Sequence, residues 1–271
     1  MGKFDGVLLC SDMDGTLLDD NKLIGKKTVE ALHYFAENGG WFSLATGRTR
    51  PSTAVYRPQI PCKGPNIYLN GAILCDERDE SVIFMEGLDD CARMVAKQIM
   101  LRYPHIGIEV FLLDHSYVCN MSEITRRHFE NLGIPYIERN IDAIPEDTSR
   151  WGKINFTGET EQVEKVREEL RPMEEYYNLT FSTPVFYEMT CKGGHKGDGV
   201  RRAAEYLGVK PENIYTVGDS QNDIPMLKVA EQCFVPENGR SDVIAMADVV
   251  VSDNNHDALA DVVAYLDRKY Q

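Results

Sequence analysis

The 271-residue chain lacks most of what marks a secreted, membrane-bound or nucleic-acid-binding protein. Its seven cysteines, at positions 10, 62, 75, 91, 119, 191 and 233, include no C-x-x-C pair. An odd, scattered set suits free thiols in a reducing cytosol better than a disulfide framework. The N-terminal region carries no long apolar segment, and Gly6 stands where a myristoylation pattern wants Ser or Thr, so a cytoplasmic location is expected. Bases are outnumbered 29 to 43, for a net charge of -14, and no basic stripe offsets this. A phosphate backbone would be repelled, which excludes a nucleic-acid partner on electrostatic grounds. The six histidines show no metal-ligand spacing, and no internal repeat or low-complexity tract is present. What is there is ordinary for a folded globular chain: 43% apolar and 27% charged residues, enough for one large domain or two modest ones.

Val7-Leu8-Leu9-Cys10 is a continuous apolar run that stops at acids, the pattern of a strand buried on both faces. Helical spacing follows over 28–38 with a Gly39-Gly40 stop, then strands over 41–45 and 67–69. Strand and helix alternate again near the C-terminus. A helix is expected over 196–207 before Gly208, a strand over 214–217, a helix opening near Pro225, a strand over 249–251 and a last helix containing Leu259, Val262, Val263 and Leu266. Such alternation predicts a parallel sheet. The texture changes between: a helix carrying Ala92, Val95, Ala96, Ile99 and Met100, a charged helix over 161–175, and strands over 109–113, 117–121, 153–157, 179–182 and 185–189. This mixture predicts an inserted α+β unit over 84–188, with 1–83 and 189–271 forming one core.

Chemistry concentrates at predicted strand ends. Ser11-Asp12-Met13-Asp14-Gly15-Thr16 closes the first strand, and ligands of open parallel sheets bind beyond such ends. Carboxylates at i and i+2 on extended backbone point the same way, so they repel unless a cation lies between them or one holds a proton. Gly15 permits a sharp turn after the pair. Taken alone, the motif is equally an acidic surface turn. Thr46-Gly47-Arg48 offers a hydroxyl and backbone N–H groups to a phosphate oxygen. Lys196 opens a helix where a cation opposes the macrodipole unless an anion is bound, the alternative being a solvated lysine. Gly218-Asp219-Ser220-Gln221-Asn222-Asp223 adds two carboxylates and an amide at another strand end.

These four elements in this order resemble the haloacid dehalogenase superfamily of phosphatases, and within it the Cof-type subgroup, whose large cap is inserted between the second and third motifs. Asn70-Gly71-Ala72 and Tyr187-Glu188-Met189 match the subgroup's accessory pieces. The resemblance implies a Rossmann-like, doubly wound core with an α+β cap. It implies an Mg2+-dependent phosphatase acting on a small phosphorylated metabolite, expected to be a sugar or polyol phosphate. Asp12 corresponds to the nucleophile that becomes an aspartyl phosphate, and Asp14 to the general acid and base. Met13, Thr46, Gly47, Lys196 and Asn222 correspond to phosphate-contacting groups. Asp12, Asp219 and the backbone carbonyl of Asp14 correspond to the metal site, which Asp223 supports, while Arg48 pairs with a neighbouring acid or assists. A sugar phosphomutase is the closest alternative. A receiver-type signalling module also combines acids, a lysine and magnesium, but the aspartates at the first strand and the long insert argue against it. The family's N-A turn and G-V pair are absent near Glu237-Asn238-Gly239 and Ala258-Leu259.

Overall fold

The structure, a computed structural model, describes residues 2–61 and 63–271; Cys62 lies outside them, and the other six cysteines are free. In chain order the first part comprises β1 (Leu8–Ser11), α1 (Lys26–Glu37), β2 (Trp41–Leu44), β3 (Asn66–Tyr68), β4 (Ile73–Asp76) and β5 (Ser81–Met85). The middle comprises α2 (Asp90–Arg102), β6 (Gly107–Phe111), β7 (Ser116–Asn120), α3 (Glu123–Leu132), β8 (Ile137–Glu138), β9 (Lys153–Thr157), α4 (Thr160–Leu170), β10 (Tyr177–Thr183) and β11 (Phe186–Cys191). The last part is α5 (Lys196–Leu207), β12 (Ile214–Val217), α6 (Ile224–Leu227), β13 (Gln232–Pro236), α7 (Ser241–Ile244), β14 (Val249–Val251) and α8 (Ala258–Lys269).

The central strand of the core sheet is the first in sequence: the order is β14-β13-β12-β1-β2, with every pairing parallel. Successive side chains of β1 point to opposite faces. Leu9 joins Leu32, Phe35, Leu259 and Val262 under α1 and α8, whereas Leu8 and Cys10 join Val200, Ala203 and Met226 under α5 and α6. Helices therefore cover both faces, as the apolar run at 7–10 requires. The expected strand near Ile67 touches β2 through one parallel bridge, Ala45 to Ile67, and pairs mainly with β4, antiparallel, in a three-stranded unit with β5. That unit, β13 and α3 go beyond the sequence reading.

A six-stranded sheet, β10-β11-β9-β6-β7-β8, forms the inserted unit. Directly opposed residues of antiparallel strands share a face. The register pairs Glu109 with Asn155, Phe111 with Lys153, Glu188 with Asn155 and Phe186 with Thr157. One face thus carries a polar and aromatic row. The other carries Ile108, Val110, Ile154, Phe156 and Met189, buried with Ala92, Ala96 and Ile99 of α2 and Val163 and Val166 of α4. The unit begins after β5, which ends at Met85, and its last strand runs to Cys191, beyond the boundary expected at 188. Its two connections lie side by side, since Arg202 donates to the Gly193 carbonyl and pairs with Glu86. An apolar seam joins the units: Tyr68, Leu69, Ile73 and Cys75 pack with Phe111, Val118, Phe129 and Cys191.

Candidate active site

The β1 strand delivers Asp12 to the carboxyl edge of the core sheet, and the N-terminus of α5 brings Lys196 to the same edge. Lys196 is fully buried and donates to Asp12 Oδ1 and to Asp223 Oδ1, each at 2.6 Å. The anions that justify a lysine at this helix start are therefore two carboxylates of the chain itself. Burial works against its charge, but the two acids outweigh burial and raise its pKa. Asp12, Asp219 and Asp223 present oxygens within 4.8 Å of one another. Burial first, then the Asp223 charge, pushes Asp12 up to about 7 despite Lys196. Burial and Asp12 push Asp219 up to about 6. Three buried carboxylates against one lysine leave an excess of negative charge that a hard cation would relieve.

The donor set is unequal. Asp223 Oδ1 is taken by Lys196, and its Oδ2 accepts the amide N–H groups of Asp219 and Ser220 at 3.0 and 2.9 Å. It steers the lysine and the loop. Asp12 Oδ2 accepts no hydrogen bond from a described residue, and the two Asp219 oxygens accept one hydroxyl each, from Thr16 at 2.8 Å and Ser220 at 2.7 Å. Asp12 and Asp219 therefore keep free oxygen capacity for a cation. Gly15, at φ +79°, makes the turn between them possible, since a Cβ there would lie 2.8 Å from Asp219 Oδ2. Asn238, in the turn that departs from the family pattern, braces this corner by donating to the Gly15 carbonyl at 2.8 Å.

Asp14 is partly exposed and held by two cations. Arg48 Nε and Nη2 donate to its two oxygens at 2.7 and 2.8 Å, and Lys22 Nζ donates at 2.9 Å. Burial alone would raise its pKa, but these bonds and charges hold the carboxyl well below the usual carboxylate range. Thr46 is buried, with its hydroxyl accepting the Arg48 amide at 3.1 Å. Leu69, Asn70 and Gly71 follow β3 with positive φ, strained backbone for the first two, which aims Asn70 at the site. Asn70 donates to Glu188 of the inserted sheet and accepts from Asn222 Nδ2 at 3.2 Å. Lys153 bonds Glu188 at 3.0 Å and the Gly47 carbonyl at 2.9 Å, tying the inserted sheet to the loop after β2.

A cavity of about 340 Å³ lies between the two units. Asp12, Asp14, Thr46, Gly47, Arg48 and Asn222 line its floor; Phe111, His128, Lys153, Phe186 and Glu188 are among its roof residues. Lys196, Asp219 and Asp223 sit beneath the floor, joined to it through Asp12 and the 219–223 loop. The Met13 side chain is buried in the core, which leaves its backbone for any contact with a ligand. His195 caps α5, its Nδ1 accepting the Asp198 amide at 3.1 Å. Lys22, Lys153 and His128 escaped the sequence reading, and Thr16 entered it only as part of the first motif, with no role of its own. For Lys153, the signal was a charged side chain inside a five-residue strand whose every residue is buried.

A parallel sheet with an acid and lysine cluster beyond its strand ends, roofed by an inserted, largely antiparallel sheet, is the haloacid dehalogenase fold. The sequence matches the haloacid dehalogenase-like hydrolase family over residues 9–263, and the chain belongs to that family. It is 26% identical over 262 residues to the 5-amino-6-(5-phospho-D-ribitylamino)uracil phosphatase YcsE of Bacillus subtilis, covering 95% of this chain and 94% of that one. Identity is also 26% over 253 residues with the phosphoglycolate phosphatase of Methanopyrus kandleri, covering 93% and 94% of the two chains. The solved structure of the subclass IIB sugar phosphatase BT4131 superposes with a TM-score of 0.82 at 22% identity, over 96% of this chain and 99% of that one. The protein is an enzyme, a phosphatase of this family.

Proposed function

We propose that the enzyme hydrolyses a small-metabolite phosphomonoester, a sugar or polyol phosphate, through an aspartyl phosphate on Asp12 with Mg2+ as cofactor. The observation that carries this reading is Asp12 itself: nearly buried, bonded through one oxygen to Lys196, free at the other, at the floor of the cavity and two residues from a second carboxyl. The free oxygen attacks phosphorus, an acyl phosphate bond forms, and the ester P–O bond breaks. Asp14 gives its proton to the departing alkoxide and then, as carboxylate, takes one from the water that hydrolyses the acyl phosphate. Before it can hold that proton it must leave Arg48 and Lys22, and an arriving phosphate dianion competes for both cations. Thr46, the Gly47 and Met13 backbones and Asn222 orient phosphate oxygens, while Lys196 fixes the nucleophile. Bound Mg2+, held by Asp12, Asp219 and the Asp14 carbonyl with Asp223 in support, supplies charge neutralisation between carboxylates and phosphate. The inserted sheet serves as cap. The two phosphatase relatives are named for different phosphomonoesters at the same identity, so substrate choice rests on the cavity. Its modest volume favours a small metabolite over a polymer.

Asp14→Asn tests the scheme, because an activated aryl phosphate needs no proton for its leaving group. In Mg2+ this variant should accumulate phosphoenzyme, and mass spectrometry should place the phosphoryl group on the peptide carrying Asp12. Excess chelator should prevent its formation. A phosphoryl group found on another residue, or one formed equally in chelator, would contradict the assignment.

A further inference from the structure

Glu109, at the middle of β6, is fully buried and has no lysine or arginine partner among the described residues. Its Oε2 takes both available donors, His128 Nδ1 at 2.9 Å and Asn155 Nδ2 at 3.0 Å. Its Oε1 and Asn155 Oδ1 are buried and accept nothing from the described residues. A buried carboxylate so poorly satisfied is costly, and the register that places it beside Asn155 on the site-facing row gives it one visible task, to hold the histidine. His128, on α3, is held further by edge contacts with Phe186 at 4.6 Å and Phe111 at 6.1 Å between ring centres. The ring lines the same cavity as Asp12 and Asp14, and its Nε2 has no hydrogen-bond partner among the described residues.

Resting on the function proposed above, we infer that the Glu109 and His128 pair reads a hydroxyl group on the neutral polyhydroxy leaving group of the substrate. The carboxylate fixes the proton on Nδ1, so Nε2 faces the cavity chemistry as an acceptor, or as a donor when the ring is protonated. A hydroxyl complements either form, because it both donates and accepts. The remaining cations of the cavity are already matched: Lys22 and Arg48 with Asp14, and Lys153 with Glu188. Once the phosphate has drawn on those at Asp14, no cation of the roof is left for a carboxylate or second phosphate. The Phe111 and Phe186 rings beside His128 suit the C–H face of a sugar or polyol. His128 is a specificity residue in this account, and Glu109 positions it.

The test uses the intact enzyme in Mg2+. It measures kcat/KM for an aryl phosphate, phosphoglycolate, a panel of sugar and polyol phosphates, and the monodeoxy analogues of the best of these. Wild type should favour its best polyhydroxy substrate over phosphoglycolate by at least about tenfold, and should lose at least about tenfold on removal of one particular hydroxyl. In His128→Phe, which keeps a ring in the aromatic wall, the ratio of polyhydroxy to aryl turnover should fall by about tenfold or more, mainly through KM. The penalty for removing that hydroxyl should shrink below about threefold. Glu109→Gln should shift the same ratio in the same direction by a smaller factor, and it carries the test if His128→Phe does not fold. Equal losses on aryl and polyhydroxy esters, an unchanged deoxy penalty, or a wild-type preference for phosphoglycolate would overturn the inference while leaving the phosphatase reading intact. Wild-type failure to hydrolyse any of the esters would instead overturn the proposed function, and this inference with it.

Discussion

The two polar layers that face each other across the cavity are built on opposite electrostatic plans. Beneath the floor, three buried carboxylates share one lysine, and burial together with the neighbouring carboxylates raises the pKa values of Asp12 and Asp219. In the roof, the buried Lys153 is paired with the buried Glu188, and Glu109 is held by hydrogen bonds from His128 and Asn155. Folding alone would not favour an imbalance like that of the floor, and under the proposed function it is where a cation and a phosphate would bind. A layer whose lysine is already paired with an acid offers hydrogen bonds rather than free cationic charge, which suits the recognition of neutral groups. On the function proposed above, chemistry belongs to the core and selection to the inserted sheet.

The sharpest way to break that comparison is at the nucleophile. Asp12→Asn should lower kcat by about 10⁴-fold or more for every substrate, because an amide is a poor nucleophile and a weaker metal ligand. Steady-state assays on aryl and sugar phosphates check this, and a loss confined to one class would erase the distinction between layers. A middle-sized effect is expected where the layers touch. Asn70→Ala removes the side chain that links Glu188 of the roof to Asn222 of the floor. Loss of cap registration should raise KM about tenfold, with a smaller change in kcat, while the melting temperature shows the fold intact. The smallest effect sharpens the account of floor charge. A carboxyl whose pKa is raised in the folded state penalises folding at high pH, and the penalty is relieved progressively as pH falls from the folded value towards the lower unfolded one. In chelator, wild type should therefore gain about 1 kcal/mol, a few degrees of melting temperature, between pH 8 and pH 5.5 relative to Asp12→Asn. His195, whose pKa burial holds down, opposes this trend in both proteins and cancels in the comparison. Parallel melting curves across that range would contradict the charge imbalance.

The layers also differed in how much of them the sequence disclosed. The floor was legible because each of its loops follows a short apolar strand, and a polar turn after a buried run is itself a signal, as at Asp12 after Leu8–Ser11 and at Asp219 after Ile214–Val217. Lys196 stood out as a cation at a helix start, although its counter-anions lie 184 and 27 residues away and appear only in the fold. The roof was opaque. Glu109, Lys153 and Asn155 sit in strands buried on both faces, and the alternation that would separate the core face from the site face is blurred when both are buried. Their side-chain partners are 19 to 46 residues away. The helix α3, which carries His128, is mostly charged and polar and buries only Thr125 and Phe129, so no apolar run marks it despite the Ser122 cap and the Gly133 stop. The three-stranded unit of β3 to β5 escaped for another reason: β3 continues the parallel order by one bridge and then turns to antiparallel partners.

The division of labour is tested most directly by comparing substrate rankings. The values of kcat/KM for a panel of phosphate esters are measured in wild type, in Thr46→Val from the floor and in Phe186→Ala from the roof. The account predicts that Thr46→Val lowers all values by one common factor and preserves their order, whereas Phe186→Ala reorders them. A common factor in the roof variant together with a reordering in the floor variant would place selection in the core and contradict the account.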